Sequence, residues 1–263
     1  MEVHAHTHSA DRDSHRGRKK WTHYLWEFLM LFLAVTLGFF VENQREHFVE
    51  DQRAKEFSRS LVQDLQNDTA AINVQKRSAG TYIALSDSLL NLSKMELEVH
   101  TAAEFSFYTR FMYWTVPVLW NRATFEQIKN SGSLRYFKNS QLLKKIVTYD
   151  ALVNEINAEF KDHQTRGNIL LPLINGIIEP AYHHELSKHF LWEIDTMSKA
   201  TRENIFMANT GSLENKREKI KELLNMIIVQ QRNLRLNINS RWGRAEILAV
   251  ELISDLKKEY HLK

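Results

Sequence analysis

Between Phe28 and Val41 the chain runs fourteen residues without a charge. Beyond that run, apolar positions return at three- and four-residue intervals with charges between them. This is the rhythm of helices with one buried face rather than of strands. Phe48, Val49, Phe57, Leu61, Leu65, Ile72 and Val74 carry it first, with no proline between Glu42 and Lys94. Tyr82, Ile83, Leu85, Leu89, Leu90 and Leu92 carry it on, so the spacing predicts a long helix interrupted near Gly80. Thr124-Phe-Glu-Gln127 has the form of a capping box opening a helix, and Asn130-Ser-Gly132 the form of its left-handed stop. Asn139 or Ser140 is placed to cap a further helix through Phe160. A loop around Gly167-Asn168 is expected next, then a short buried piece, Leu170–Ile178, broken by Pro172, Gly176 and Pro180. Ser212–Asn239 and Ala245–Tyr260 read as two more helices, with Arg241-Trp-Gly-Arg244 as a kink or turn between them. The expected fold is all-α: an N-terminal transmembrane helix continuing into a stalk helix and an antiparallel extracytoplasmic bundle.

The apolar run reads as a membrane anchor. Residues 21–41 make a helix of roughly 32 Å, close to the ~30 Å hydrocarbon core. Trp21, Tyr24 and Trp26 stand where an interfacial aromatic belt belongs. No small-residue cleavage site follows the run, which distinguishes it from a signal peptide. Glu27 is the one ionisable residue well inside it, with His23 one turn earlier. A His–Glu relay is one reading; a shallow carboxylate that reaches the headgroups is the plainer one. Ala34 and Gly38 form a small-xxx-small pair that lets two anchors approach. Five Lys/Arg residues lie between Arg12 and Lys20, while residues 42–53 carry both signs. The positive-inside rule then puts residues 1–20, a disordered His-rich tail, in the cytoplasm. Residues 42–263 go to the outer side, in a bacterium the periplasm, with the anchor in the inner membrane.

Composition narrows the function classes. The 263 residues include 8 Gly, 3 Pro and no Cys, which favours long helices and excludes disulfides and thiolate chemistry. The net charge of +3 divides into +1 over residues 1–41 and +2 over 42–263, so neither part is a polybasic nucleic-acid-binding domain. The eight glycines are scattered and form no phosphate-binding loop or nucleophile elbow.

Residues 19–46, with the later stretches 57–68 and 124–135, resemble a family of uncharacterised single-pass proteins of gram-negative bacteria. In that family a basic tail and an anchor with an early Glu run into a charged helix. The resemblance covers most of residues 19–160 and implies anchoring and a helical outer region, with no activity and no site residue to carry over.

Three functional expectations follow. The first is a non-enzymatic anchored protein, without cofactor or metal, that contacts the lipid bilayer and binds a protein partner or a second copy of itself, with the Phe57/Leu61/Leu65 stripe as the surface to test. The second is a sensor bundle whose aromatic stretch, Phe105 to Trp120, lines a ligand pocket. The third is a metal-dependent hydrolase around His183, His184 and His189. His184 and His189 are five residues apart and lie about 140° apart around a helix, so they cannot share a zinc on a regular one. Glu185 with His189 is the alternative pair, and His4, His6 and His8 could bind metal from the tail. The i,i+4 carboxylate pairs Asp64/Asp68 and Glu42/Glu46 are expected to be solvated or paired with nearby cations.

Overall fold

The computed structural model describes the backbone of residues 16–114, 116–190, 193, 196–208 and 210–263, and side chains from Trp21 onward. It is all-α. The helices are α1 (Arg16–Leu92), α2 (Val99–Thr109), α3 (Ala123–Asn130), α4 (Ser140–Ile177), α5 (Pro180–Leu186), α6 (Lys199–Phe206), α7 (Arg217–Leu236) and α8 (Trp242–Glu259). A π-helical segment, Asn237–Arg241, joins α7 to α8 without a turn. The chain divides into two compact units at Ala54 and Lys55.

Within the second unit, α1, α4 and α7–α8 each bury one seam of alternating three- and four-residue spacing, the pattern of helices packed nearly side by side. On α1 the seam is Ser58, Leu61, Leu65, Asp68, Ile72, Gln75, Ala79, Tyr82, Ser86 and Leu89, all buried. On α4 it runs from Leu142, Ile146 and Tyr149 through His163 and Gly167 to Leu170, Ile174 and Ile177. On α7–α8 it runs Ile220, Leu223, Ile227, Gln230, Leu234, Asn237, then Trp242, Ala245, Ala249, Leu252 and Leu256.

Side-chain pairs set the directions. Lys76 Nζ meets Glu246 Oε2 at 2.5 Å and Gln231 Nε2 donates to Asp87 at 2.6 Å, so α1 and α7–α8 are antiparallel. Lys145 reaches Asp255 at 2.8 Å and Arg241 reaches Glu155 at 3.0 Å, so α4 is antiparallel to α7–α8 as well. Shorter helices close one end. The Tyr182 hydroxyl of α5 lies 3.0 Å from the carbonyls of both Ala103 in α2 and Ile205 in α6. Phe107 stacks edge-on against Phe111 and Phe206. The last carbonyls of α1 accept from the Ser93, Lys94 and Met95 amides and the Ser93 hydroxyl, and Arg217 donates to the carbonyls of Ser93 and Met95 just beyond the helix, tying the following turn to α7.

Several local expectations change. α1 passes through Gly80 without a break, and begins at Arg16, so the backbone of residues 16–20 is helical. Thr124 lies inside α3 and does not cap it; the Asp64 carboxylate accepts from the Thr124 amide instead, at 3.4 Å. α4 continues to Ile177, so there is no loop at Gly167. Leu170, Ile174 and Ile177 are fully buried, while Pro172 and Asn168 lie on the exposed face, where water can serve the carbonyl that proline leaves free. Gly132, at φ 69°, and Asn139, whose side chain accepts from the Gln141 and Leu142 amides, act as the sequence predicts.

Candidate functional site

The first unit carries the anchor residues. From Trp21 to Phe48 every residue is exposed. Trp21, Tyr24 and Trp26 are 82%, 64% and 64% exposed. This is the one described helix long and apolar enough to cross a membrane, by length and composition; its apolar window has a mean hydropathy of 2.0 and none of it is buried. His23 Nε2 and Glu27 Oε1 are 3.1 Å apart, an i,i+4 pair open to the surroundings. Ala34 and Gly38 are exposed, and a Cβ built on Gly38 would meet nothing within 4 Å.

In the second unit the stripe read as a partner surface is core: Leu61 and Leu65 are 6% and 5% exposed. Asp68 is the larger departure. It is 2% exposed rather than solvated, and among the described residues no Lys or Arg pairs with it. Its Oδ1 accepts from the Asn121 amide at 2.7 Å and from Asn121 Nδ2 at 3.2 Å, and its Oδ2 accepts from the Tyr149 hydroxyl at 2.9 Å. Burial raises its pKa, against the lowering effect of these donors. Burial and the facing carboxylate raise that of Tyr149. Arg122 bridges Asp150 and Glu126 beside the pair and lies over the Phe125 ring. The cluster ties the 118–124 segment to α1 and α4.

A second polar layer lies further along the same seams. Gln75 of α1, His163 of α4 and Asn237 of the π segment line one cavity of about 40 Å³. Gln75 Nε2 donates to the Val116 carbonyl at 2.7 Å, and Asn237 Oδ1 accepts from Arg241 at 2.8 Å. His163 is 7% exposed, and its Nε2 is buried without a hydrogen-bond partner among the described residues. Burial, with Arg166 close by, lowers its pKa to about 4, so the ring is neutral at pH 7. Ser78, Tyr82 and Glu159 also line it, and the rest of the wall is apolar, with Ile156, Leu234, Trp242, Val118 and the exposed Val116.

Of the aromatic stretch, Phe105, Phe107 and Phe111 are core, while Trp114, with Val116 and Val118, reaches the cavity. Trp120 donates to Asn157 Oδ1 at 3.0 Å. His183 and His184 lie on α5, and His189 lies beyond its end, with its carbonyl accepting from Arg110. Among the described residues, no group of three or more His, Asp or Glu is arranged to hold a metal ion. His4, His6 and His8 lie outside the described residues. Comparison with family models, with curated protein sequences and with solved structures finds no match to this chain.

Sequence reasoning missed His163. Its signal was available: it falls seven residues after Ile156 and seven before Leu170, in step with the apolar seam.

Proposed function

We propose that this protein is a membrane-anchored helical adaptor of the bacterial inner membrane, whose outer domain binds a protein partner or a second copy of itself without catalysing a reaction. One observation carries the reading: a strip of helix with a mean hydropathy of 2.0, none of it buried, at the start of a chain whose other long helices each bury a seam. An apolar surface of that extent is costly in water and needs a lipid or protein environment. Its flanking charge, five Lys/Arg on the N-terminal side, supports an orientation with residues 1–20 in the cytoplasm and residues 42–263 in the periplasm. The resemblance of residues 19–160 to anchored single-pass proteins points the same way.

The cysteine-free chain makes sidedness directly measurable. In spheroplasts, a membrane-impermeant maleimide should label K221C, on the exposed side of α7, and should label S9C only after lysis. Alkaline extraction should leave the full chain in the pellet. Recovery in the soluble fraction, or labelling of S9C in intact spheroplasts, sinks the anchored reading. With the Leu61/Leu65 stripe inside the domain, the outward apolar positions Ile247 and Val250, one turn apart on α8 and 63% and 56% exposed, become the surface to probe. Photo-cross-linking from I247C in membranes should give one discrete adduct, to a partner or to a second copy; a monomer alone counts against the binding role.

A further inference from the structure

The three long helices keep their seams in step except at one level. On α1 and α4 the three–four alternation is unbroken, but on α7–α8 the interval from Asn237 to Trp242 is five. The π segment accommodates that extra residue, and both ends of the interval face the cavity. π-Insertions forfeit regular α-helical hydrogen bonding and are frequent at functional sites. At this same level each long helix presents a polar seam residue, Gln75, His163 and Asn237, in place of an apolar one. Two of the three are engaged by the protein, whereas His163 Nε2 is not.

We propose that this cavity is a binding site for a small uncharged molecule with a primary amide or hydroxyl head on a short apolar body, the head hydrogen-bonded to His163 Nε2. Size, charge and hydrogen-bonding capacity set the class. A cavity of 40 Å³ is room for roughly three water-sized groups, enough for such a head and its first carbons. Among the described residues Glu159 is the only carboxylate on the wall, and it is taken up by Arg166 at 2.9 Å and Arg241 at 3.8 Å. Among the described residues no Lys or Arg lines the wall, so with Glu159 already paired neither an anion nor a cation finds a free counter-charge. A neutral imidazole presents Nε2 as donor or acceptor according to its tautomer, and amides and alcohols can answer either. This inference is independent of the anchored reading.

The test is a titration of the full chain, in detergent, with propionamide, followed through the histidine side-chain NMR signals. The chain's twelve histidines provide internal controls. The His163 signal, assigned by its loss in H163F, should shift saturably, with half-saturation on the order of 1 mM, a reasonable strength for about five non-hydrogen atoms. Propionate, of the same shape but charged, should bind at least about tenfold more weakly. A79M, which fills the cavity wall, should abolish the shift while His163 keeps a dispersed, folded signal. A non-saturating shift shared by all the histidines, equal binding of propionate, or saturation that persists in A79M overturns the proposal. The polar layer would then serve only to fix helix register.

Discussion

Two buried ionisable side chains give the residue scale its predictions, and they act in opposite directions. His163 has a folded pKa of about 4 against an ordinary value near 6.5, so the unfolded chain takes up a proton first as pH falls. Its stabilising effect is present above pH 6.5 and is lost progressively between about 6.5 and 4, to a limit on the order of 3 kcal/mol. Replacement by Phe removes both that loss and an unpartnered buried nitrogen. H163F should therefore melt at least as high as wild type at pH 7 and show a flatter stability profile between pH 6.5 and 4. A parallel profile in chemical denaturation would show that His163 does not set it. Asp68 has a raised folded pKa, so the native state holds its proton more tightly than the unfolded chain does. Its contribution declines as pH rises from the unfolded value, near 3.9, through the folded one. D68N keeps an acceptor for Asn121 and leaves the Tyr149 hydroxyl a partner, so it should alter stability by less than about 1 kcal/mol. D68A strands the Asn121 amide and the Tyr149 hydroxyl and should cost about 2–4 kcal/mol. Equal melting temperatures for the two variants would contradict this account.

At the scale of elements, most of the helices were legible because each seam repeats a simple interval. Misreadings arose where a local signal disagreed with a seam that continued past it. Gly167 and Pro172 read as breakers, yet the sequence of intervals from Leu142 to Ile177 runs through both, and burying Leu170, Ile174 and Ile177 outweighs the propensity cost. Thr124 matched a capping box, but a carboxylate from α1, sixty residues away in sequence, meets its amide. No local motif could reveal that donor–acceptor pair. The polar seam positions Asp68, Gln75 and His163 were legible in principle, because strict spacing marks them as inward-facing whatever their chemistry. Two tests follow from the seams. Deleting Ser240, an exposed residue of the π segment, removes the extra residue, restoring a four-residue step across the segment and leaving Ala245, Ala249 and Leu252 in register. The deletion variant should fold with full helical circular dichroism; collapse of the spectrum would mean that the π turn is needed for the fold itself. G80A should stabilise by about 0.5–1 kcal/mol, since its Cβ would meet nothing within 4 Å. G243A should gain less, because its Cβ would come within 3.3 Å of the Ile238 carbonyl oxygen. The difference between their melting temperatures decides the point.

For the whole molecule, the division at Ala54 and Lys55 separates two kinds of helix within one element. From Trp21 to Phe48 α1 buries nothing; from Ser58 onward every third or fourth residue is buried. A globular core built from residues 55–263 thus draws no hydrophobic stabilisation from residues 21–48, and removing the strip costs it no buried area. A chain starting at Glu42 should be recovered without detergent, keep its helical circular dichroism, and melt within about 2 °C of the detergent-held full chain, a shift smaller than about 1 kcal/mol would produce in a domain of this size. The same truncation should abolish sedimentation with membranes. If the truncated chain unfolded or aggregated instead, the exposed strip would be part of the fold's own stability, covered by protein rather than lipid. The absence of any buried residue between Trp21 and Phe48 is what makes those two outcomes separable in one experiment.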